Sequence, residues 1–130
     1  MTLTKLRIPA GQTVAEEAAG QALFDMANLR PERTGLPFVV FVSQRGGARH
    51  DVRIKLARGP RVRASEMVTI AVRPRPRVLR GEISGQEFDL VQQWLALNLD
   101  TLVDYWNGAI EYTEDMLAAL KPLPEADSIS

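Results

Sequence analysis

The chain has no cysteine among its 130 residues. That excludes disulfides, a thiolate metal site and a thiol nucleophile. Histidine occurs once, as His50, so a metal site would have to be completed by carboxylates alone. Neither metal nor cofactor is expected. Aromatic residues make up 6% of the chain, and no apolar run approaches the roughly 18 residues of a membrane span. A membrane is therefore not an expected partner. The N-terminal stretch "MTLTKLRIPAGQ" lacks the apolar core and small-residue cleavage site of a secretory signal, so the sequence reads as cytoplasmic. There is no phosphate-cradling glycine loop and no serine nucleophile elbow, and hence no recognisable catalytic motif.

What is present is an ordinary globular composition, 45% hydrophobic and 25% charged, of a length that suits one domain. A single domain is expected over 1–124, with a loose polar tail over 125–130. Net charge is zero, yet the charges are segregated along the chain. Between Asn28 and Gly81 there are 13 Lys/Arg against 3 Asp/Glu, whereas from Glu82 to Ser130 there is 1 against 10. Two readings stay open: basic strands beside acidic helices within one domain, or a basic face open to an acidic partner.

Periodicity sets out the elements. Thr13 and Glu16 form a capping box, and Val14, Ala18, Ala22, Leu23 and Met26 follow at helical spacing, which predicts a helix over 14–28. The stretch "LPFVVFVS", 36–43, is β-branched and aromatic on both alternating faces, as in a central strand covered on two sides. "QRGG" supplies a hairpin turn, and "ARHDVRIKL" returns as a second strand. Strict alternation there would put Ala48, His50, Val52, Ile54 and Leu56 on one face, with Arg49, Asp51, Arg53 and Lys55 on the other. "MVTIAV", 67–72, is a third strand, and "RPRPRVLRG" an edge segment that can rejoin the sheet at Val78 and Leu79.

The acidic half is helical. Ser84 and Glu87 form a second capping box, and Phe88, Val91, Leu95, Asn98, Leu99, Leu102 and Trp106 recur at three- and four-residue steps. One helix over 85–107, about 35 Å long, closes at Asn107-Gly108. A short last helix starts with Thr113 as its cap and stops before Pro122. The expected fold is α+β: a mostly antiparallel sheet of three to four strands made by consecutive hairpins, packed against an N-terminal helix, the long helix and the short terminal one.

Candidate chemistry concentrates in "RGGARHDVRIK", 45–55. Arg45, Arg49, Arg53, Lys55, Arg73, Arg75 and Arg77 form a basic set suited to phosphate or carboxylate. His50 is either a packed histidine or a proton-transfer group, and adjacency in a strand keeps it from pairing with Asp51. Trp94 and Trp106 follow the helical stripe and read as core.

A strand pair with a histidine near the start of its second strand, another hairpin, then "LVQQWLALNLDTLVDYW" closing at "LKPL" resembles a family of small bacterial proteins of unknown function. The resemblance covers about residues 36–123, and the family pattern carries more than one histidine where this chain has only His50. Members look like a short antiparallel sheet packed on C-terminal helices and are often encoded in toxin-antitoxin-like gene pairs. The resemblance implies a protein partner in a toxin-antitoxin or defence setting. Taken with the basic face, the expectation is a non-catalytic interaction protein that binds an acidic partner, which can be a second copy of this bipolar chain. Two alternatives stand beside it: a small toxin-type ribonuclease using His50 with Arg49 and Arg53, and a nucleic-acid binder without chemistry.

Overall fold

A computed structural model describes residues 26–59 and 66–124. Their elements are β1 (Ala27–Leu29), α1 (Pro31–Thr34), β2 (Val39–Val42), β3 (Arg53–Ala57), β4 (Val68–Ala71), β5 (Arg77–Arg80), α2 (Gly85–Asn107) and α3 (Thr113–Ala119). The strands form one antiparallel sheet in sequence order, β1-β2-β3-β4-β5. The α+β class holds, but the sheet has five strands rather than three or four. The extra strand is β1, which occupies the end of the expected 14–28 helix: Ala27, Asn28 and Leu29 pair with Val42, Phe41 and Val40. Here pairing with β2 overrides the local helical pattern, as tertiary context often does. The rest of that helix, the Thr13–Glu16 box, and the tail 125–130 lie outside the described residues.

Long helix α2 starts and stops where its local signals say. Ser84 Oγ accepts from the Glu87 backbone N–H while Glu87 Oε1 accepts from the Ser84 N–H, and Gly108 (φ 86°) takes the left-handed cap. Its buried stripe, Val91, Trp94, Leu95, Leu102, Tyr105 and Trp106, packs on one sheet face built from Leu29, Val40, Val42, Ile54, Leu56, Val68 and Ile70. Each such side chain contributes about 1.5–3 kcal/mol on burial. Helix α3 differs from expectation at its start: the cap position is Tyr112, without a side-chain bond, and Thr113 is already helical, its hydroxyl hydrogen-bonded to the Tyr105 hydroxyl at 2.8 Å.

The second sheet face is defined by cross-strand rows. Asn28, Phe41, Lys55, Thr69 and Arg80 stand opposite one another in turn, and Arg53, Ala71 and Arg77 form the neighbouring row. Phe41, Ala57 and Met67 cluster on this face and are buried. Strand β2 is thus interior and covered on both sides, as its sequence requires. A bulge between Thr69 and Ile70 pairs Thr69 with Arg80 but Ile70 with Val78. The extra residue turns Arg80 onto the Lys55 face; regular alternation would have sent it to the apolar side.

Candidate functional site: a basic cavity at the end of the long helix

The segment between β2 and β3 is longer than a tight hairpin. Strand pairing ends at Val42 and resumes at Arg53, leaving 43–52 as a loop around a turn at Gly46 (φ 52°), closed by the Ala48 N–H to Arg45 carbonyl bond of 2.8 Å. The alternation expected from Ala48 therefore begins only at Arg53. His50 is exposed and does not join the aliphatic face, whereas Val52, Ile54 and Leu56 are buried. A loop residue is free of the pleat that would have turned it inward.

This loop is docked on the C-terminal end of α2. The Arg45 N–H donates to the Trp106 carbonyl at 2.9 Å, and Gln44 Nε2 donates to the Glu111 carbonyl at 2.8 Å. Both bonds satisfy carbonyls at or just past the helix end, where no intrahelical donor remains. The His50 ring stacks on Trp106, centroids 5.5 Å apart and planes 29° apart. His50 Nδ1 lies 2.7 Å from the Asp51 carbonyl. A carbonyl only accepts, so Nδ1 carries the proton, and in the neutral ring Nε2 is left with its lone pair.

A cavity of about 330 Å³ opens beside the stack. Arg45, His50, Arg53, Lys55 and Trp106 line it, with the Gly46-Gly47 turn at its rim. Among the described residues that line it there is no Asp or Glu. Lys55 is half-buried, and its ammonium pKa is lowered, first by burial and then by the charges of Arg53 and Arg80. A space walled by cations and glycine backbone can hold an anion, with arginine forks matching carboxylate or phosphate oxygens. Among the described residues no group of three His, Asp or Glu comes together that could hold a metal ion.

The seven basic residues singled out from the sequence thus divide. Arg45, Arg53 and Lys55 meet at the cavity, and Arg77 stands in the same cross-strand row as Arg53. Arg49 and Arg75 are exposed outside the cavity lining. Arg73 is turned away: its Nε and an Nη donate to the two Asp51 carboxylate oxygens at 2.8 and 3.0 Å. That pairing lowers the Asp51 carboxyl pKa. Arg80 belongs with the cluster but was not picked from the sequence, because "RVLR" shows no sign of the bulge that turns it. Trp106, read as core, is both core and the platform for His50.

No protein-family model, curated protein or solved structure matches the chain. Among the described residues no helix is long and apolar enough to cross a membrane.

Proposed function

We propose that the chain is a small non-catalytic interaction protein that binds an acidic protein partner through its basic sheet face, with the cavity at the end of α2 as its anchor point. One observation carries this reading: Arg45, Arg53, Lys55 and His50 line one small space, and no carboxylate is among the described residues that line it with them. Elsewhere the described arginines that reach an acid pair with it, as Arg58 does with Glu87 and Arg73 with Asp51. A toxin-antitoxin or defence setting is what the resemblance to the small bacterial family implies. Exposed acids on α2 and α3, Asp89, Asp100, Asp104, Glu114 and Asp115, make a second copy one candidate partner.

The test is capture from bacterial lysate with the intact chain and with the R45E/R53E double variant across a salt series. Acidic proteins held by the former and lost by the latter are the expected outcome; a captured set indifferent to the charge reversal removes the reading. Self-association should appear in sedimentation at low salt and weaken as salt rises. A monomer at high protein concentration and low salt removes the second copy.

One observation favours the ribonuclease alternative: His50, its Nδ1 bonded to the Asp51 carbonyl, lines the cationic cavity with its ring exposed. RNA cleavage abolished by His50→Ala would establish it, and an uncleaved panel of RNAs would leave the binding reading standing.

A further inference from the structure

Strong like-charge crowding narrows what the cavity can take. Arg45, Arg53 and Lys55 stand together on its wall, and Arg80 lies on the same sheet face as Lys55, across Thr69. Burial and the Arg53 and Arg80 charges disfavour the Lys55 ammonium, so bringing these cations together is electrostatically costly. A monoanionic carboxylate would offset one of these charges; a dianion offsets two and presents three acceptor oxygens to two guanidinium forks and an ammonium.

The remaining features agree with such a ligand. Space is open over the turn, since a Cβ added at Gly46 or Gly47 would meet nothing within 4 Å, so a ligand can approach the backbone there. At about 330 Å³ the cavity has the room of roughly ten waters at ~30 Å³ each, more than a phosphate group needs, which leaves space for the residue bearing it. The wall is held in place before any ligand arrives, by the bonds from Arg45 to Trp106 and from Gln44 to Glu111. Trp106 offers a nucleobase no free face, since it is 4% exposed and covered by His50.

We infer that the cavity between the 43–50 loop and the end of α2 is a binding site for a phosphomonoester dianion, carried on a side chain of the protein partner and gripped by Arg45, Arg53 and Lys55. This deepens the proposed function and rests on it for the carrier alone.

The experiment is a chemical-shift titration of the ¹⁵N-labelled full chain at pH 7.5 and matched ionic strength, with inorganic phosphate and with acetate as probes. Expected are saturable shifts of the Gly46 and Gly47 amides, with phosphate at least tenfold tighter than acetate. Arg45→Ala and Lys55→Met should each weaken phosphate about tenfold while Arg49→Ala does not, with α2 amide positions showing that each variant is folded. Absence of saturation, equal affinity for acetate, or an equal loss in Arg49→Ala overturns the site. A second arm compares a phosphoserine peptide with its unphosphorylated acidic form and with a 5′-phosphorylated oligonucleotide. Tighter phosphopeptide binding supports the inference in full. A preference for the oligonucleotide overturns the protein carrier while keeping the phosphate site. Equal binding of both peptides overturns the phosphate site while leaving an acidic protein partner in place.

Discussion

His50 lies on Trp106 with ring centroids 5.5 Å apart, so the chain's one histidine rests on the last turn of helix α2. The two rings are unequal partners. Trp106 is 4% exposed and belongs to the main core, while His50 is exposed and belongs to a loop. Trp106→Ala should therefore cost about 3–5 kcal/mol through cavity formation, and it should release the 43–50 loop as well. His50→Ala should cost no more than about 1 kcal/mol, the scale of one exposed stacking contact. Urea denaturation of both variants checks this; equal losses would mean that the stack, not the core, dominates the site.

Glu87 joins the acidic and basic halves. It closes the capping box of α2 and receives the Arg58 guanidinium on both oxygens, at 2.7 and 3.0 Å. Those bonds hold its carboxyl at about 2, against an ordinary value of 4.5, with Arg58 the largest cause and the Ser84 backbone the next. A carboxyl with a depressed folded pKa stabilises fully above its unfolded value and loses that contribution as protons bind. Stability should accordingly fall as pH drops from 4.5 toward 2. Asp51, lowered by Arg73, acts in the same direction. Glu87→Gln keeps the capping geometry and removes the titration. Thermal unfolding followed across that pH window should show a shallower acid limb in the variant; an unchanged limb would refute the assignment to Glu87.

Gly81 ends β5 at φ 88°, and a Cβ there would stand 2.5 Å from the Met67 carbonyl oxygen and 2.9 Å from Val68 Cα. Both neighbours are backbone, which cannot step aside without moving β4. Gly81→Ala combines that clash with about 1–3 kcal/mol of left-handed strain, and it should lower the unfolding midpoint far more than Gly46→Ala. Gly46 has φ 52° with nothing within 4 Å of its would-be Cβ, so its cost is the strain of about 1–2 kcal/mol alone. Matching circular-dichroism melts of the two variants would contradict the close approach at Gly81.

These positions also show where sequence reasoning reaches and where it stops. Helix α2 is legible to the residue because its signals are local: the Ser84 and Glu87 box, the repeat of apolar steps and the Gly108 stop all lie within the helix or next to its ends. Strand β1 is not, since three residues carry no period and are made a strand only by their pairing with β2. The cationic residues of the site are legible as types. Their meeting is not, because it depends on the loop docking to Trp106, on a bulge that redirects Arg80, and on Asp51 reaching Arg73 across 22 positions. Non-local pairing decides each of these.

Asn98 illustrates the same limit from within the helix. It falls in the apolar stripe, yet its side chain is a buried clasp: Nδ2 donates to the Lys121 carbonyl at 2.9 Å and Oδ1 accepts from the Lys121 N–H at 2.7 Å. The C-terminal segment is fixed further by the Leu123 N–H on the Thr34 carbonyl at 2.8 Å. Asn98→Leu should cost roughly 1–3 kcal/mol for each Lys121 group left without its partner. Hydrogen exchange should then open 120–123 first, and protection retained there would show that the clasp is dispensable.

Lys55 sets stability against binding. Folding places its ammonium in a half-buried position beside Arg53 and Arg80, so the charged form is less favourable in the folded chain than in the unfolded one. Lys55→Met keeps the stem and removes the charge, and the variant should unfold at higher urea concentration than the parent at neutral pH. The sign reverses the carboxylate case. A lysine whose folded pKa is lowered destabilises fully below that pKa, and the penalty fades as pH rises toward the ordinary 10.5, so the gap between parent and variant should narrow in alkaline buffer. A variant less stable than the parent at neutral pH would mean that Lys55 is held by attraction in the folded state. Gain of stability together with loss of phosphate affinity is what a residue kept for an anionic ligand should show, because the ligand's charge is what offsets the cost.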